Sequence, residues 1–114
     1  MSYNKETGMY EGYIYKITNM INGRIYIGQT KRTIKERWKQ HIRQAKSCET
    51  RYPFQDAIIK YGTDKFNVEE IEKISETNES ELYKKMDDLE VYYIKELEWY
   101  DQVFKVFLYR YPAV

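Results

Sequence analysis

Cysteine occurs once in these 114 residues, as Cys48. A lone cysteine closes no internal disulfide, which points to a reducing compartment, and it excludes a cysteine-rich zinc site. Proline occurs twice and glycine five times, and neither clusters into a linker or low-complexity segment. No apolar stretch reaches the length of a signal peptide or membrane span, so the expectation is a soluble, cytoplasmic protein without a membrane partner. A large charge of one sign is missing too. The net charge is +1, whereas a generic nucleic-acid-binding domain is strongly basic.

What the chain does have is aromatic residues and a segregated charge pattern. Thirteen of its residues are tyrosine, more than packing alone asks for, since each buried hydroxyl needs a partner. Lys31 to Lys46 holds seven Lys or Arg against one Glu, a balance of +6. Phe66 to Asp101 holds twelve Asp or Glu against four Lys, a balance of −8. Such polarity can offer a basic face to a polyanion while the far side stays acidic. The plainer reading is two solvated helix faces.

The apolar pattern is periodic, and the length suits one domain. Residues 1 to 11 are polar and read as a flexible, frayed segment. Tyr13 to Ile17 and Arg24 to Ile27 read as two strands joined at Asn22-Gly23, a strong hairpin signal because both residues tolerate positive φ. Thr33 stands at a helix N-cap with Glu36 three residues on, and the helix from about 34 to 46 carries Ile34, Trp38, Ile42 and Ala45 on one stripe. Arg37 and His41 fall on its flank. Pro53 opens a second short helix that Gly62 stops. Phe66, Val68 and Ile71 fit a third strand. Asn78 or Ser80 caps a long helix to about Leu97, with Leu82, Met86, Leu89 and Tyr93 inward and Glu90 at the stripe's edge. Gln102 to Tyr111 reads as a further strand. The fold class is α+β: a three-stranded antiparallel sheet flanked by helices, with an aromatic tail over 98–114 packed on the same domain.

The tripeptides Tyr13-Ile14-Tyr15 and Tyr26-Ile27-Gly28, together with ERWKQHIRQA, FQDAIIKYGTDKFNVEEIEKI and LEVYYIKEL in that order, resemble the GIY-YIG nuclease family over residues 12–97. Tyr13 stands where the family has glycine. The resemblance implies Tyr15, Tyr26, Arg37, His41 and Glu90 as catalytic residues, with Glu90 holding the divalent cation and Gly28 as the motif glycine. The family's closing asparagine has no counterpart, since no Asn follows Asn78; Gln102 is the nearest amide.

The chemistry can be argued without the family. Cleaving a phosphodiester needs a deprotonated water in line with the leaving oxygen, and neutralisation of the phosphate charge. Mg²⁺, or Mn²⁺, on one carboxylate such as Glu90 suits the second task. Arg37 offers a fork matched to phosphate oxygens. Tyr15 can accept the water's proton if nearby cations or a protonated His41 lower its pKa. Lys31, Lys35, Lys39 and Arg43 are the expected contacts to nucleic acid, with DNA favoured over RNA. Each residue also has an ordinary reading: strand tyrosines, a surface histidine, solvated charges. The competing functions are a weakened nuclease fold that only grips nucleic acid, and an interaction protein whose aromatic tail docks on a partner or a second copy. No added binding domain is expected beside the resembling core, so sequence preference is expected from the core, from a partner protein, or not at all.

Overall fold

The computed structural model describes residues 3–47 and 52–104, with the side chains of its last helix described as far as Leu97. Strand β2 (Met9–Asn19) is the centre of a four-stranded antiparallel sheet. Strand β3 (Ile25–Thr30) runs along one side of it, pairing Tyr13 with Thr30 through Thr18 with Ile25. Strand β4 (Phe66–Glu76) runs along the other, pairing Tyr10 with Glu76 through Asn19 with Phe66. The short strand β1 (Tyr3–Asn4) continues the β3 side, opposite Tyr10 and Met9.

Helices cover both faces, which explains why β2 is apolar on both. Tyr15 and Ile17 face α1 (Ile34–Ser47) and α2 (Pro53–Tyr61), in a cluster with Tyr26, Ala45, Phe54, Ala57, Ile58 and Phe66. Ile14 faces α3 (Glu79–Phe104) and packs with Ile27, Ile74, Leu82 and Met86. Alternation along an extended strand sends neighbouring side chains to opposite faces. Gly12 makes room for α3: a Cβ there would lie 2.4 Å from the Met86 sulfur.

Local chemistry sets the element ends. The Thr33 hydroxyl accepts the Glu36 N–H at 3.1 Å, capping α1. Pro53 opens α2, and Gly62 closes it at φ 89° with its N–H on the Ile58 carbonyl. Asn78 caps α3 by accepting the N–H groups of Ser80 and Glu81. At the β2–β3 turn, Asn19 and Asn22 side chains accept the N–H groups of Ile21 and Arg24, and Gly23 takes φ 76°.

Two expectations need correcting. Residues 3–11 are not frayed: Tyr3–Asn4 folds back on β2, and Asn4 donates to Glu11 at 3.0 Å. Tyr3 also meets Tyr10 edge-on at 5.0 Å, so an aromatic pair anchors a polar segment that shows no apolar period. The strand expected from Gln102 also fails where it can be seen. Gln102 to Phe104 belong to α3, because the acidic helix continues unbroken by Gly or Pro. Residues 105–114, and with them the rest of the tail and its suggested role in docking, lie outside the described residues.

Candidate active site

The sheet and α1 bring Tyr15 and His41 together. The Tyr15 hydroxyl and His41 Nε2 are 2.8 Å apart in the core, with Tyr15 1% exposed and His41 wholly buried. Tyr26 meets the imidazole edge-on at 5.1 Å and stacks on Phe54 at 4.4 Å with the planes 6° apart. His41 is therefore not on the helix flank but inside the aromatic cluster. Burial, with the Arg37 guanidinium one turn away, pushes its pKa down to about 3, so the ring is neutral at physiological pH. Its Nδ1 has no hydrogen-bond partner among the described residues. An orphaned N–H is costlier than an unfilled lone pair, which favours hydrogen on Nε2, donating to Tyr15. A donor on a phenol oxygen stabilises the phenolate. The imidazole beside Tyr15 is thus neutral, so a protonated His41, one of the cations that sequence offered for lowering the tyrosine's pKa, is not available at physiological pH.

Gly28 explains how the pair fits. It lies opposite Tyr15 in the β2–β3 register, and a Cβ there would stand 2.5 Å from the Tyr15 hydroxyl and 2.6 Å from Cζ. The tyrosine ring occupies the space that any side chain at 28 would need. Across the other edge, Ile14 pairs with Glu72 but Tyr15 with Glu70, a bulge of one residue at Ile71. Bulges re-aim side chains, and this one sits beside Tyr15.

The next residue, Gln29, points to the opposite face and reaches α3. Its amide nitrogen donates to Glu90 at 2.5 Å and to Asp87 at 2.8 Å, so two carboxylates one helical turn apart converge on one atom. Burial pushes the Glu90 carboxyl above its ordinary range, the Gln29 bond pulls it down, and Asp87 pushes it up again, for a net rise. Gln29 also lines a cleft of about 290 Å³ with Arg37, Gln40, Lys31 and Arg32. Arg37 holds the Gln40 side chain at 2.8 Å.

The match to known proteins decides the family. Residues 11–101 match the model of the GIY-YIG catalytic domain. The chain belongs to the GIY-YIG family. Its fold is similar to the catalytic domain of the intron endonuclease I-TevI in a mutant form, with a TM-score of 0.63 and 26% identity over 77% of this chain and 84% of that one. A second structure, of the catalytic domain of the homing endonuclease I-TevI, gives 0.60 and 26% over 76% and 88%. Uncharacterized protein 019R of Invertebrate iridescent virus 6 is 38% identical over 71 residues, 62% of this chain. The matched stretch spans 25% of that relative's length.

Within this GIY-YIG domain the expected site residues divide into two groups. Tyr15, Tyr26 and His41 share the α1/α2 face, whereas Glu90 lies on the α3 face. The consecutive residues Gly28 and Gln29 join the groups, one beneath Tyr15 and the other on Glu90. Arg37 stands in the cleft that Gln29 lines. Lys39 and Arg43 line an adjoining cleft of about 120 Å³ with Arg32, Glu36 and Gln40. Lys31 lies 3.6 Å from the Tyr83 ring centre, a cation–π contact to α3. Lys35 is exposed but lines neither cleft.

Gln29, Asp87 and Arg32 were not foreseen as site residues. Gln29 follows the motif glycine, which was a usable signal. Asp87 carried none, because nothing marks one carboxylate in an acidic helix. Asp87 and Glu90 also correct the picture of a basic face with its acidity far away, since both accept from Gln29, a lining residue of the basic cleft.

Proposed function

We propose that this nuclease-family domain is a metal-dependent endonuclease that hydrolyses phosphodiester bonds in nucleic acid, with DNA the favoured substrate. The observation that carries this reading is the reach of Gln29, which lines the cleft containing Arg37 and donates to the Asp87 and Glu90 carboxylates. No cluster of three or more His, Cys, Asp or Glu exists among the described residues. Two carboxylates fit a hard cation that keeps several waters and takes further ligands from a phosphate. Glu90, with Asp87 beside it, would hold Mg²⁺ or Mn²⁺. Bound there, the ion supplies charge neutralisation at the phosphate and at the leaving oxygen.

The chain's own groups do the rest. The Arg37 guanidinium grips two phosphate oxygens and fixes the strand in the cleft. Lys31, Lys39 and Arg43 hold flanking phosphates. Tyr15, its phenolate favoured by the His41 Nε2–H, accepts a proton from the attacking water, and Tyr26 holds the imidazole edge in place.

One observation favours a second reading. Tyr15 and His41 are closed off from solvent, as suits a pair that shapes the core beneath a nucleic-acid-binding surface. The weakened binding module is that reading. Plasmid, linear duplex, single strand and RNA, each incubated with Mg²⁺ or with EDTA, separate the two. The endonuclease gives Mg²⁺-dependent internal cuts in DNA; binding without cuts in any substrate favours the module.

A further inference from the structure

Two ionised carboxylates one helical turn apart repel each other unless a positive or donor group is shared between them. Asp87 and Glu90 on α3 are such a pair, and the group they share is the side-chain amide of Gln29. Its nitrogen donates to Asp87 Oδ1 at 2.8 Å and to Glu90 Oε2 at 2.5 Å. An amide nitrogen carries two hydrogens, so both are engaged. The amide oxygen has no hydrogen-bond partner among the described residues, and Gln29 also lines the Arg37 cleft.

The two ends of an amide are nearly equal in size. Half a turn about the last side-chain bond exchanges nitrogen for oxygen and leaves the backbone where it is. Ionised carboxylates only accept, so in the metal-free chain they require the nitrogen. A hard divalent cation takes oxygen ligands, side-chain amide oxygens among them, so with a cation present the preferred end is the oxygen. The spacing suits this exchange. Metal–oxygen distances of about 2.1 Å place neighbouring oxygens around an octahedral Mg²⁺ about 3 Å apart, close to the separations that Gln29 already keeps from both carboxylates. Strand register holds Gln29 opposite Ile14, between Gly28 and Thr30, so its reach towards α3 is set by the sheet.

We propose that Gln29 is a further ligand of the divalent cation through its amide oxygen, and that the same side chain, turned the other way, holds Asp87 and Glu90 together before the cation binds. This rests on the nuclease reading. It makes the residue after the motif glycine part of the cation site, where a mere strut between β3 and α3 would be indifferent to metal.

The test follows the Gln29 side chain by NMR in the full chain, labelled with ¹³C and ¹⁵N, first in EDTA and then with rising Mg²⁺. In EDTA the two amide protons should stand at low field, bonded to carboxylates. With Mg²⁺ they should return towards the values of a solvated amide while Gln29 Cδ moves downfield, as for a carbonyl whose oxygen meets a cation. Gln29→Leu keeps the size and removes both polar atoms; by calorimetry it should bind Mg²⁺ about tenfold more weakly, or worse. A Cδ signal that stays in place while the unaltered protein binds Mg²⁺ would overturn the ligand and leave the metal-dependent nuclease intact, and so would a Gln29→Leu variant that binds Mg²⁺ as tightly as the parent. Should Gln29→Leu not fold, the Cδ signal of the unaltered protein decides alone. Absence of Mg²⁺ binding by the unaltered protein would remove the ligand and the metal dependence together.

Discussion

A methyl group at position 28 would occupy the place of the Tyr15 ring, and that ring is walled in by Tyr26 and His41. Gly28→Ala should therefore cost about 1–3 kcal/mol, read as a lower urea midpoint, and should push the hydroxyl away from Nε2. Tyr15→Phe removes one oxygen but strands Nε2 of a buried imidazole whose Nδ1 is already without a partner. It should cost about 1–3 kcal/mol and, as loss of a general base, most of the cleavage rate. A variant as stable as the parent would mean that the bond contributes nothing; a stable variant with full activity would make Tyr15 a packing residue. The tripeptides disclosed these residues because identity and spacing are local properties. Burial of His41 was not legible: a histidine following Lys39 and Gln40 on a basic helix reads as surface until Phe54 and Tyr26 close around it.

Helix α1 does two tasks with two faces, packing Ala45 and His41 inward and presenting its cations to the clefts. Lys39→Ala and Arg43→Ala should each weaken nucleic-acid binding and lower the slope of log K against log salt by about 0.7–0.9 per lost phosphate contact. Lys35→Ala should leave both unchanged, since Lys35 lines neither cleft. Equal effects from all three would mean that charge acts diffusely and no track exists. In the sequence the four cations Lys31, Lys35, Lys39 and Arg43 look alike, because periodicity gives a stripe but not what the neighbouring loop contributes. The capped starts of α1 and α3, and the proline and glycine bounds of α2, were legible because caps act within one turn. Strand β1 and the helical course of Gln102 to Phe104 were not: one depends on a tertiary aromatic contact, the other on continuation of a helix into a segment of strand-like composition.

Across the whole molecule, a single buried histidine couples fold stability to pH. His41 has its pKa lowered to about 3 in the fold against roughly 6.5 unfolded. Between these values the unfolded chain binds the extra proton, so stability is fully present above about 6.5 and declines as pH falls towards 3, by up to about 1.4 kcal/mol per pH unit. Urea unfolding across that window should show this decline, and His41→Gln should lack its share of it; identical slopes would place His41 in contact with water. By the same reasoning, cleavage by the intact protein should show no step near pH 6.5. The α+β architecture and its order of elements were readable because each element carries its own period and stop signals. The meeting of Glu90 with Gln29 was not, since it depends on how α3 lies across β3. That meeting is the centre of the account, and single-turnover cleavage of duplex DNA by the unaltered protein and by Glu90→Gln, each with Mg²⁺ and with EDTA, tests it most directly. The account predicts Mg²⁺-dependent cutting that falls by orders of magnitude in Glu90→Gln while duplex binding is retained. Undiminished cutting by Glu90→Gln, or by the unaltered protein in EDTA, would contradict it.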